Sequence, residues 1–253
     1  MDDILNIKES LEWYILSGVD ETCGDAPCVF FKKEEKKELS FRQASAHLMQ
    51  NTIVSTQNAR EICAKAQTLQ DLKQAALEFD GCALKTTAKS TVFGEGNENA
   101  KVMFIGEAPG ADEDRVGLPF VGRSGRLLEK MMNAIGLRRE DVYITNVIMW
   151  RPPGNRTPTD GEVSICLPFL KRQIELVDPK IIVFLGASAA NALLDNTESI
   201  SKMRGHFLLY ETSAKKNICA IATFHPAFLL RNCAQKAKGW SDFLRILKKL
   251  KEN

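Results

Sequence analysis

The sequence has no apolar run approaching the roughly 20 residues that cross a bilayer, so no membrane partner is expected. Its opening Met1-Asp2-Asp3-Ile4-Leu5 carries no basic stretch ahead of an apolar one, so no secretory signal is expected either. None of its seven cysteines (Cys23, Cys28, Cys63, Cys82, Cys166, Cys219 and Cys233) stands in a Cys-x-x-Cys pair. The odd count reads as reduced thiols in a cytoplasmic protein and not as a disulfide framework. Neither GxGxxG nor GxxxxGK[ST] occurs, which argues against a nucleotide-binding enzyme that uses residues 106–110 as a phosphate loop. Charge imbalance is missing too: 34 Lys and Arg face 32 Asp and Glu, a net of +2. Any nucleic-acid footprint is therefore local. There is no internal repeat.

What is present is an ordinary globular composition, 44% hydrophobic and 26% charged over 253 residues. That is enough for one sizeable core with a small appendage. Residues 1–66 read as an N-terminal extension, helical and irregular. Residues 4–16 have helical periodicity that stops at Gly18, residues 19–31 form a loop, and the mixed-charge run 32–38 reads as a solvated linker. Residues 67–253 read as the main domain. It opens with a helix over 68–79, where Thr68 and Asp71 make a capping box.

From Lys101 the pattern is regular. Four apolar runs, 102–105, 142–148, 181–185 and 218–223, read as strands. Helical segments over 124–135, 160–176 and 188–194 separate them. A closing helix over 240–250 carries Trp240, Phe243, Leu244, Leu247 and Leu250 on one face. Strands alternating with helices predict an α/β fold, a central four-stranded parallel sheet flanked by helices. Ligands of such sheets bind beyond the carboxyl ends of the strands. Each strand is followed there by an unusual loop: Gly106-Glu107-Ala108-Pro109-Gly110, then Asn146 leading into Arg151-Pro152-Pro153-Gly154-Asn155-Arg156, then Gly186-Ala187-Ser188, and last Phe224-His225-Pro226. Four such loops in register converge on one face.

The segments GEAPG-x-x-ED, GLPFVGRSG, ITN followed by RPPGNR, LGA and FHPAFLLR, in this order from Cys82 to about Leu250, resemble family 4 of the uracil-DNA glycosylases. The resemblance implies hydrolysis of the bond between uracil and deoxyribose in base excision repair, with uracil-containing DNA as partner, by a monomer. The alternative is an inactive damage-sensing DNA binder on the same fold. The retained site groups speak against it. A covalent-trapping relative would carry a further arginine-rich loop with its own His, which is absent.

The resemblance also implies roles. Phe120 is the platform on which the extruded base stacks; otherwise it is a core ring under a turn. Asn146 reads uracil O4 and N3–H, since an amide both donates and accepts. His225 stabilises the charge that collects on O2, by a neutral or a charged imidazole. Glu107 with the backbone at Ala108 positions water. Glu113 gates the C5 position against the methyl of thymine. Leu229, Leu230 and Arg231 form the wedge that replaces the departing base. Arg151, Arg156, Gly186 and Ser188 contact phosphates.

One departure concerns the [4Fe–4S] cluster that the resembled family holds on four cysteines. Those positions here read Phe79, Cys82, Trp150 and Cys166, so two of four thiolate ligands are present. Large apolar side chains fill what a vacated cluster would leave empty. The expectation is that no cofactor is bound and that Cys82 and Cys166 are remnants of a metal site. Rescue by Cys63, Cys23 or Cys28 is the alternative.

Overall fold

The computed structural model describes residue 12, residues 35–194 and residues 197–252. The expected helix over 4–16 (residue 12 aside) and the loop over 19–31, with Cys23 and Cys28, lie outside the described residues. Among the described residues no helix is long and apolar enough to cross a membrane.

Six strands form one mixed sheet: β1 (Glu95–Gly96), β2 (Val102–Gly106), β3 (Tyr143–Asn146), β4 (Ile181–Leu185), β5 (Phe207–Glu211) and β6 (Asn217–Thr223), ordered β1-β3-β2-β4-β6-β5. The four central strands are parallel, as the alternating pattern predicts. Every residue of β2, β3 and β4 is buried, the signature of strands covered on both faces. Successive side chains point to opposite faces. Met103, Ile105 and Ile182 join one core with Phe169 and Leu170, while Val102, Phe104 and Val183 join another with Leu128 and Phe243. The antiparallel edges β1 and β5 are additions to the expected sheet. β1 is two residues long, and β5 is a short apolar run, Phe207-Leu208-Leu209-Tyr210, of which only Tyr210 is buried.

The helices are α1 (Glu35–Lys65), α2 (Leu69–Glu78), α3 (Leu84–Thr87), α4 (Ala111–Val116), α5 (Arg123–Asn133), α6 (Asp160–Val177), α7 (Ala187–Leu194), α8 (Ile200–Met203), α9 (Pro226–Arg231) and α10 (Lys236–Glu252). The capping box of α2 forms: Asp71 N–H donates to Thr68 Oγ1 and Thr68 N–H donates back to Asp71, each at 3.0 Å. These bonds hold the Asp71 carboxyl below its usual pKa.

Three expectations need correction. The charge run is not all linker, because its residues from Glu35 onward begin α1; Glu and Lys are good helix formers, and no Gly or Pro interrupts residues 35–65. Nor does the chain divide at residue 66. Its two compact units are Met1–Ser45 and Ala46–Asn253. Within the second, Ala59, Cys63 and Ala66 are core residues, and the Arg172 guanidinium donates twice to the Ala66 carbonyl. Finally, α10 buries Gly239, Asp242, Phe243 and Ile246, leaving Trp240 and Leu244 39% and 43% exposed. The face is turned because Asp242 is drawn inward to bond Thr223 Oγ1 (2.8 Å) and Arg204 (2.6 Å).

Candidate active site

The carboxyl ends of β2, β3 and β6 open into one recess of about 380 Å³, within the range of small-ligand pockets. Glu107, Ala108, Glu113, Phe120, Asn146 and His225 all line it. Pairing of β2 with β3 sets Gly106 opposite Asn146. A Cβ on Gly106 would lie 2.3 Å from Asn146 Oδ1 and 2.6 Å from Phe120 Cζ. Glycine is required there because the reading amide and the aromatic ring both close over the strand end.

Asn146 is 2% exposed, and its Oδ1 is a buried acceptor without a hydrogen-bond partner among the described residues. Such an atom costs about 1–3 kcal/mol in desolvation. A donor supplied by a ligand would recover that cost.

Phe120 is 5% exposed, with its ring centroid 5.7 Å from that of His225 at 32°. It belongs to the core that contains Phe104 and Leu128 and also forms one wall of the recess. Its φ of +52° is the left-handed conformation, which costs a non-glycine residue about 1–2 kcal/mol. Gly125 fits beneath it only for want of a Cβ, which would come 1.8 Å from the Phe120 carbonyl oxygen.

His225 caps α9, with Pro226 in the first turn. The Ala227 N–H donates to His225 Nδ1 at 3.1 Å. An acceptor at Nδ1 leaves the proton on Nε2, so the local sequence selects the tautomer. Burial and then the charge of Arg231 push the pKa from 6.5 down to about 4, against an opposing pull from Glu113. A depressed pKa keeps the imidazole of the unliganded chain neutral at physiological pH.

Glu113 has both carboxylate oxygens engaged. Oε2 accepts from Gly110 N–H (3.1 Å), and Oε1 accepts from Val121 N–H (3.0 Å) and Gly122 N–H (2.9 Å). It ties the Gly106–Gly110 loop to the turn after Phe120. Glu107 is half-buried and borders both this recess and an adjoining one that contains Ser188.

The expected DNA contacts divide. Leu229 is 1% exposed and lies where a Cβ on Gly239 would be 3.0 Å from its Cδ1, so it packs against α10 and is not free to enter a duplex. Leu230 is half-buried and Arg231 is exposed beside the recess. Gly186 donates its N–H to the Thr223 carbonyl at 2.9 Å. It therefore offers no donor to phosphate, and its φ of +101° serves the tight turn below His225. Ser188 is exposed. Arg151 holds Asn155 Oδ1 (2.7 Å), while Arg156 forms a bidentate pair with Glu162 (2.6 and 2.8 Å) that raises the arginine pKa. Of the lining residues given no role from the sequence, Ser124, Asn155 and Phe228 are among those that fall inside the quoted motifs, which was the available signal, whereas Thr157 and Pro158 follow RPPGNR directly.

The four cluster-related positions belong to one buried core. Phe79, Cys82, Trp150 and Cys166 are each no more than 3% exposed. Phe79 stacks with Trp150 at 6.4 Å and meets Phe169 edge-on at 5.2 Å. Trp150 Nε1 donates to Thr91 Oγ1 at 2.9 Å. Cys82 and Cys166 share a hydrogen bond that lowers the pKa of the former and, with burial, raises that of the latter. Among the described residues no third Cys, His, Asp or Glu joins them in a group that could hold a metal. A four-thiolate cluster needs two thiolates more than these four positions supply among the described residues.

Against known proteins, the model described as the uracil DNA glycosylase superfamily matches residues 93–251. The chain is 42% identical over 169 residues to the type-4 uracil-DNA glycosylase of Thermotoga maritima, covering 66% of this chain and 86% of that one. It is 43% identical over 184 residues to the type-4 enzyme of Archaeoglobus fulgidus, covering 71% and 92%. With the type-5 uracil-DNA glycosylase of Pyrobaculum aerophilum it shares 33% over 147 residues, 52% of this chain and 63% of that one.

Proposed function

The chain belongs to the uracil-DNA glycosylase superfamily and acts as a uracil-DNA glycosylase, and we propose how its residues divide the work of that reaction. The observation that carries the reading is the orphaned, buried Asn146 Oδ1 in a recess walled by Phe120 and a neutral His225.

A base in duplex DNA must leave the stack before its glycosidic bond can be reached, at a cost of a few kcal/mol. Stacking on Phe120 offsets part of it, at about 1–3 kcal/mol. Asn146 Oδ1 accepts from uracil N3–H, and its amide donates to O4. The C1′–N1 bond then breaks with its electron pair passing to the base, and the charge that gathers on O2 is held by His225 Nε2–H. A water oriented by Glu107 and the Ala108 backbone adds its oxygen to C1′ and releases its proton to solvent. Glu113, fixed by three backbone donors, is a rigid wall beside C5, as a gate against a methyl group requires. Leu230 and Arg231 fill the vacated position in the duplex, and Arg151, Arg156 and Ser188 contact phosphates.

The test is incubation with a duplex containing one uracil, followed by alkali. The expected result is strand cleavage at that position together with free uracil. Tight binding without base release would support the damage-sensing alternative.

We further propose that the protein carries no iron–sulfur cluster and that Phe79 and Trp150 fill the space in its place. Two thiols and two large rings at the four positions support this reading, since an empty cavity of that size would be destabilising. The purified protein is expected to be colourless near 400 nm and free of stoichiometric iron. Iron at four atoms per chain would overturn the proposal.

A further inference from the structure

Phe120 is held in its left-handed conformation by two groups outside the recess and by Glu113 in its wall. Arg139, in the turn that enters β3, donates from Nη1 to the Phe120 carbonyl at 3.1 Å and from Nη2 to the Pro119 carbonyl. The same guanidinium is gripped by Glu95 of β1, whose Oε2 accepts from Nε at 2.9 Å and from Nη2 at 2.5 Å. From the other side Glu113 takes the N–H groups of Val121 and Gly122. The peptide units on both sides of Phe120 are therefore pinned, one by a planar cation and the next by a carboxylate. Arg139 and Glu95 do not line the recess and cannot touch a base in it.

We propose that Arg139, oriented by Glu95, is a positioning residue that holds Phe120 in the geometry that stacks uracil. This rests on the reading of Phe120 as the platform. A bulky residue keeps a left-handed backbone only where its surroundings over-determine it. Without the guanidinium the 119–120 carbonyls lose their donors, φ is free to return to negative values, and the ring swings away from Gly106. Only a fork of fixed geometry can serve two successive carbonyls and a carboxylate together, so lysine is a poor substitute.

A double-mutant cycle between Arg139 and Phe120 tests this, read as single-turnover uracil release at saturating enzyme. Arg139→Ala is expected to slow release about tenfold, within the range that one base–aromatic stack supplies. Arg139→Lys should fall between it and the parent. Affinity for a uracil-free duplex should stay within twofold, because the platform acts only on an extruded base. In a Phe120→Ala background the same Arg139 change should alter the rate by less than twofold. A rate for Arg139→Ala within twofold of the parent overturns the proposal, as does a double variant whose loss is the product of the two singles. If Phe120→Ala alone keeps the parental rate, it is the platform reading that fails, and the clamp fails with it. Glu95→Gln and Arg139→Lys carry the same cycle should Arg139→Ala not fold.

Discussion

Replacing His225 by alanine is expected to lower the rate of uracil release about 10²–10³-fold, the usual consequence of deleting one donor aimed at developing negative charge, while leaving the fold intact. The loss should fall in the bond-breaking step and not in duplex affinity, because O2 becomes strongly charged only as the C1′–N1 bond parts. Single-turnover rates against binding curves separate the two. The neutral tautomer adds a pH signature. With its pKa depressed to about 4, His225 keeps its Nε2–H and an unprotonated Nδ1 through the range where an ordinary histidine titrates. The acid limb of kcat/KM attributable to this group is therefore expected near pH 4 and not near 6.5. Between those values the unfolded chain binds a proton that the folded chain does not, so stability rises with pH across that window. Acidification from 6.5 towards 4 should thus lower the thermal midpoint of the parent, and His225→Ala should lose that component. An acid limb near 6.5 would rule out the neutral donor.

Asn146→Ala is expected to reduce kcat/KM by a similar 10²–10³-fold. Two hydrogen bonds to the base disappear and uracil N3–H and O4 are left unpaired in a dry recess, at about 1–3 kcal/mol each. Stability should respond differently. Among the described residues no group donates to Asn146 Oδ1, so its removal breaks no hydrogen bond at that atom even as it opens a small cavity. The thermal midpoint should stay close to that of the parent, where most buried substitutions lower it. A variant that loses activity only in proportion to lost folded protein would show that Asn146 is structural.

The sheet's four parallel strands were legible because a strand buried on both faces must be apolar along its whole length, as in Ile181–Leu185. The convergence of the motif loops followed from strand direction alone. Of the edge strands, β1 is too short to carry a pattern, and the apolar run Phe207-Leu208-Leu209-Tyr210 of β5 was passed over; it pairs with β6 through its backbone while Phe207 and Leu209 stay exposed. Leu229 and Leu230 could not be told apart in sequence, since both follow His-Pro and only the packing of α9 on α10 decides which is core.

The sequence by itself determined the order of elements, the groups offered at the strand ends and the loss of two cluster cysteines, all of which are local properties of residue type and spacing. Tertiary structure alone decided that His225 is buried, that Asn146 Oδ1 has no donor among the described residues, and that Arg139 and Glu95 reach the Phe120 turn. Desolvation and backbone strain depend on neighbours brought together by the fold, as Glu95 and Arg139 are across 44 residues of chain, and no local pattern encodes such neighbours.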